Sequence, residues 1–119
     1  MIVLNKDEVN NMTSLAAKTC IPCKGGVDPL QGAALDKLLK QISEWSLSPD
    51  GLSIRRDFKF KNYYKTMAFV NALAYISHQT DHHADLEVGY NHCQVVFSTH
   101  AIGGLSESDF ICSAKIDLL

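Results

Sequence analysis

No apolar run in this 119-residue chain approaches the roughly 18 residues that cross a bilayer, so no membrane-spanning helix is expected. Basic runs are missing as well. Lys and Arg number 11 against 13 Asp and Glu, a formal net charge of −2, which argues against direct binding to a nucleic-acid backbone. The opening MIVLNKDEVNNM meets charge at once after a short apolar stretch, so it lacks the apolar centre of a signal peptide, and a cytoplasmic location is the expectation. A second C-x-x-C is also absent. Cys20 and Cys23 form the lone CIPC, which leaves a zinc ribbon without half its ligands. A thioredoxin-like site would need a βαβ setting that this polar stretch does not offer. In a reducing compartment the four cysteines are thiols rather than disulfides.

What remains is an ordinary soluble composition, 46% hydrophobic and 20% charged, enough for one core and too apolar for disorder. Residues 1–28 read as an N-terminal extension and loop, with Gly and Pro crowded into CIPCKGGVDP, and residues 29–119 as the folded domain. From Pro29 to Ile42, apolar residues recur at helical spacing, with Pro29 in the first turn. EWSLS and LSIRRDFKF flank the turn SPDG and predict a hairpin whose apolar face carries Leu52, Ile54, Phe58 and Phe60 and is broken by Arg56. NYYKTMAFVNALAYISHQT predicts a helix with an unusually broad apolar face. A second hairpin pairs Leu86, Val88 and Tyr90 with CQVVFSTH, turning at Asn91 and His92. Ser106 as N-cap and Asp109 three residues on predict a capping box opening the last helix. The order helix, strand, strand, helix, strand, strand, helix implies an α+β domain with an antiparallel sheet covered on one face.

Four of the five histidines fall within residues 80–100: His82, His83, His92 and His100, with His78 just upstream. His82 and His83 close the long helix, His100 ends the following hairpin, and His78 lies one helical turn before His82. His92, in the hairpin turn, is expected to be solvated. Three readings stay open on spacing alone: satisfied surface or half-buried histidines, a three-nitrogen metal site from His78, His82 and His100, or metal-free acid–base chemistry. There is no H-E-x-x-H, and Ser98 and Thr99 lack a nucleophile elbow, so covalent catalysis has no candidate. Imidazoles alone suit simple proton transfers, such as adding or eliminating water.

The stretch TDHHADLEVGYNHCQVVFSTHAIGGLSESD, residues 80–109, resembles the signature of the pterin-4a-carbinolamine dehydratases. The correspondence runs through His78, the pair His82 and His83, Tyr90, His100 and Asp109, with Ser98-Thr99-His100 and Gly104-Leu105-Ser106 as the tail. Upstream, Trp45 and RDFKFKNY fit the same pattern, so the likeness covers roughly residues 29–119. It implies a four-stranded antiparallel sheet with three helices on one face. It also implies dehydration of 4a-hydroxytetrahydrobiopterin to quinonoid dihydropterin, which recycles tetrahydrobiopterin after an aromatic amino acid hydroxylase. By the resemblance, His82 and His100 act as acids and His83 binds the pterin. His78, Asp81, Ser98, Thr99 and Asp109 bind substrate or support the site. No metal and no cofactor are implied, the pterin being the substrate. The resemblance also implies a homodimer or homotetramer.

The chain departs from the pattern at three positions. His78 stands where an acidic residue is common, Ala84 where a proline often follows the His pair, and Leu86 where an aromatic is usual. A carboxylate at the first position would favour the His82 imidazolium; a charged His78 would oppose it. The alternative from another class is a protein-binding dimerisation cofactor on the same fold with a vestigial site.

Overall fold

The computed structural model describes residues 15–20, 25 and 27–119, and the lone C-x-x-C extends outside them at Cys23. The first helix is shorter than the periodicity predicts. Helix α1 runs Gly32–Leu39 and tightens into a 3₁₀ turn at Lys40–Ile42. Leu30 instead donates its N–H to the Leu105 carbonyl at 2.8 Å, which binds the approach to a loop far along the chain. Pro29 lies against Gly104, where an added Cβ would come within 2.7 Å of the proline ring, so only glycine lets the two segments meet.

The first hairpin forms as expected. Strand β1 (Ser46–Leu47) pairs antiparallel with β2 (Ile54–Lys59), and the turn closes through Gly51 N–H to the Ser48 carbonyl at 2.9 Å. Arg56, the break in the apolar face, sits 4.5 Å over the Phe58 ring and donates to Asp117 Oδ1 at 2.7 Å. Its stem covers core and its charge finds a partner at the rim.

Helix α2 (Tyr63–Thr80) starts on Asn62, whose side chain accepts the Lys65 N–H at 2.9 Å. Thr66, Phe69, Leu73 and Ser77 form its buried stripe, at i, i+3, i+7 and i+11 spacing. The face is narrower than expected: Met67 and Val70 are half-buried and Ala74 is exposed. The Thr66 hydroxyl donates to the Tyr90 carbonyl at 2.9 Å and ties the helix to the second hairpin.

That hairpin joins β3 (Asp85–Val88) to β4 (His92–Phe97). The turn lies at Tyr90 and Asn91, one residue earlier than predicted, because Gly89 N–H donates to the His92 carbonyl at 2.9 Å. His92 therefore opens β4, and its half-buried ring packs over Gly89, where a Cβ would meet Nε2 at 2.1 Å. Tyr90 leaves the strand and stacks on Tyr63, with centroids 6.1 Å apart.

The sheet order is β1-β2-β4-β3, antiparallel throughout. Central strand β4 alternates cleanly: Cys93, Val95 and Phe97 are fully buried, while Gln94 and Val96 are half-exposed. Edge strand β3 places Leu86 and Val88 opposite Val95 and Cys93, hence on the same face, yet they remain 37% and 41% exposed. Helix α3 (Glu107–Asp117) begins with the predicted capping box. Its other end is clamped by the Trp45 indole N–H, 2.9 Å from Asp117 Oδ1. Among the described residues, four strands and three α-helices make the α+β domain that the patterning implies. Among the described residues, no helix is long and apolar enough to cross a membrane.

Candidate active site

Three element ends converge on one buried carboxylate. Helix α2 stops at Asp81, which adopts a left-handed conformation (φ 51°, ψ 39°) and returns its N–H to the Ser77 carbonyl. Among the described residues it is the one non-glycine residue with positive φ. The reversal sends the next residue, His82, back toward the sheet. There its imidazole stacks on Phe97, the last residue of β4, with centroids 5.6 Å apart and planes 9° from parallel.

His82 Nε2 lies 2.6 Å from Asp109 Oδ1. A carboxylate only accepts, so Nε2 carries the proton and Nδ1 is left for any ligand. Asp109 is completely buried. Its other oxygen, Oδ2, accepts from the Thr99 hydroxyl at 2.7 Å and from the Ser106 N–H at 2.9 Å. Thr99 in turn lies 2.7 Å from the Ser106 hydroxyl. The carboxylate is also in the first turn of α3, where the helix dipole favours negative charge. One residue thus caps the helix with one oxygen and grips an imidazole with the other.

Two effects compete on His82. Burial disfavours the imidazolium, but the hydrogen bond and charge of Asp109, with smaller contributions from Cys20 and Asp81, outweigh it. The net result is a pKa raised above the ordinary 6.5.

In front of the ring opens a cleft of about 310 Å³ lined by Asp81, His82, His83, Ser98, Thr99, His100 and Ala101. His82, half-buried, forms its floor, while His83 and His100 are exposed at its rim. His100 is not at a strand end as predicted. β4 stops at Phe97, and Thr99 bridges to Gly104, so the intervening residues form a 3₁₀ turn, His100–Ile102. The chain curls because the Thr99 side chain turns inward to Asp109.

Of the predicted site residues, His82, His83, His100, Asp81, Ser98 and Thr99 line the cleft, and Asp109 supports it from beneath. His78 does not line it; it lies exposed on α2, before the reversal at Asp81. The triad of His78, His82 and His100 accordingly does not assemble. Among the described residues, no group of three or more His, Cys, Asp or Glu side chains is placed to hold a metal ion. The Phe97 platform and the Thr99–Asp109 bond escape sequence reasoning. Alternation marks Phe97 only as core, and nothing in local spacing joins His82 to a residue 27 positions away.

Together these features define an α+β protein with a carboxylate-anchored imidazole on the floor of a histidine-lined cleft. The family model described as pterin 4 alpha carbinolamine dehydratase matches residues 28–119, and the chain belongs to that family. Proteins named "Putative pterin-4-alpha-carbinolamine dehydratase" are similar to it along most of its length. That of Nitrosomonas eutropha is 56% identical over 93% of this chain and 97% of its own. That of Nitrosospira multiformis is 58% identical over 88% and 91%. Among solved structures, the transcriptional coactivator/pterin dehydratase of Brucella melitensis superposes with a TM-score of 0.73 at 25% identity, over 76% of this chain and 97% of that one. A pterin dehydratase-like protein identified as a RuBisCO assembly factor in the alpha-carboxysome shares the fold, with a TM-score of 0.56 at 22% identity, over 63% and 87%.

Proposed function

We propose that the cleft dehydrates a 4a-hydroxytetrahydropterin to the quinonoid dihydropterin, a step that recycles the pterin after an aromatic amino acid hydroxylase has used it. The observation that carries this reading is the grip of buried Asp109 on His82 beside two further imidazoles. The reaction breaks the C4a–O bond, removes the N5 proton and releases water. Oxidation state is unchanged, so proton transfers suffice. His82, favoured as imidazolium by Asp109, delivers a proton to the departing hydroxyl through Nδ1. His100, across the cleft, is the second proton-transfer group. His83 orients the pterin and stabilises developing charge. Each positioned proton transfer contributes about 10²–10⁴-fold.

The test follows disappearance of the 4a-hydroxytetrahydropterin by rapid-mixing spectroscopy. His82→Ala and His100→Ala lower turnover by about 100-fold or more with a smaller effect on KM, while His92→Ala leaves it unchanged. Dialysis against a strong chelator preserves activity. Equal losses for His92 and His100, or an activity abolished by the chelator and restored by metal, overturn the assignment.

A second reading, a protein-binding module whose enzyme site is vestigial, draws on the open β3 edge with Leu86 and Val88 exposed. It requires that the wild-type chain show no turnover above the uncatalysed rate.

A further inference from the structure

Two thiols outside the cleft meet across most of the chain. Cys20 Sγ lies 3.3 Å from Cys112 Sγ, although the residues are 92 positions apart. We infer that Cys20 and Cys112 form a reversible thiol–disulfide site that reacts with small peroxides, Cys20 attacking and Cys112 resolving.

The geometry separates the two roles. Cys20 is half-buried and lines a second cavity of about 210 Å³, together with Lys18, Thr80 and Lys115. Cys112 is 1% exposed and sits behind it on α3, within 3.5 Å of the Thr80 hydroxyl. A peroxide entering the cavity therefore reaches Cys20 first. The segment carrying Cys20 is held against α3 by independent contacts. Leu15 is buried in the core, Lys18 pairs with Glu107 at 2.9 Å, and Lys115 donates to the Ala16 carbonyl at 2.6 Å. The sulfurs need to close by little more than 1 Å to reach the roughly 2.05 Å of a disulfide.

Electrostatics agree with this division. The Cys112 thiol donating to Cys20 lowers the Cys20 pKa most; burial opposes, and the charge of His82, a hydrogen bond from the Ser108 side chain and the charge of Lys115 add to the lowering, for a value of about 7. The same bond, with burial, pushes the Cys112 thiol far up.

In the first step the Cys20 thiolate attacks one peroxide oxygen. The O–O bond breaks, Cys20 becomes a sulfenic acid, and hydroxide departs to be protonated by solvent. In the second, the Cys112 sulfur attacks the Cys20 sulfur. The S–OH bond breaks and the Cys112 proton leaves with the hydroxyl as water. Two thiols are oxidised to one disulfide and one peroxide is reduced to two waters. None of this depends on the pterin reading.

The test uses the full reduced chain and hydrogen peroxide, followed by peptide mapping under non-reducing conditions. The expected product is a Cys20–Cys112 cross-linked peptide, with two of the four thiols lost and both recovered with dithiothreitol. Cys23→Ser still forms it. In Cys112→Ser the reaction stops at a Cys20 sulfenic acid that dimedone traps. Iodoacetamide at pH 7 labels Cys20 at least about tenfold faster than buried Cys93. A dominant Cys20–Cys23 bond, a bond between chains, or retention of all thiols in a chain that circular dichroism shows to be folded overturns the inference.

Discussion

Asp109 carries two duties on its two oxygens, and titration separates them. In Asp109→Asn the amide still accepts hydrogen bonds, but the charge opposing the burial cost of the His82 imidazolium is gone. The His82 pKa, above 6.5 in the wild type, then falls below it, as read by NMR titration of the ring protons. A pKa that stays raised in this variant contradicts the electrostatic account. Linkage gives a sign for stability as well. Because folding raises this pKa, the stabilisation by the His82–Asp109 pair is full below pH 6.5 and is lost as pH rises through the folded value. Cys20 acts oppositely. Its pKa is lowered from 9.0 to about 7, so its contribution is present above pH 9 and disappears as pH falls through 7. The stability difference between wild type and His82→Gln therefore shrinks with rising pH in denaturant melts. Chemistry at this scale was partly legible. Histidines crowded into a fifth of the chain marked the cleft, and the Ser106–Asp109 spacing marked the cap. The bond from His82 to Asp109 was not legible, since it is made by the fold and not by local spacing.

At the scale of elements, turns and caps were the readable part. SPDG and Ser106 each carry a local hydrogen-bonding reason for ending or starting an element. Two of the misplaced boundaries share one cause: a distant partner overrides the local pattern. Leu30 is taken by Leu105, so α1 starts late. Thr99 is taken by Asp109, so β4 stops before His100 and the chain curls. Helix α3 shows how such partners hold an element at both ends. Asp117 is unfavourable to the dipole near a helix C-terminus, yet it joins Trp45 at 2.9 Å and Arg56 at 2.7 Å. Asp117→Ala leaves the indole N–H of a nearly buried tryptophan without its acceptor and should cost about 1–3 kcal/mol in urea unfolding. A cost below about 0.5 kcal/mol would show the clamp to be incidental.

At the scale of the whole molecule, the open side is β3. It ends the sheet, its backbone polar groups on the side away from β4 face outward, and Leu86 and Val88 remain uncovered on the helix-bearing face. Closure by a second copy across a two-fold axis would satisfy both features, and a dimer or tetramer is the expected state. Sedimentation tests this, with Val88→Lys driving the assembly toward monomer. A wild-type monomer of 13.1 kDa at micromolar concentration, fully active, contradicts it. The clamp at Trp45 also gives the molecule a built-in optical gauge. This is the sole tryptophan. Its ring touches Phe97 at 5.9 Å, and Phe97 carries His82 on its other contact at 5.6 Å. One chain of rings thus joins the emitting indole to the imidazole of the cleft, and α3 joins them again through Asp117 and Asp109. Emission from Trp45 should change in the same denaturant range in which turnover vanishes, so that a cuvette reading follows the integrity of the cleft without any substrate present.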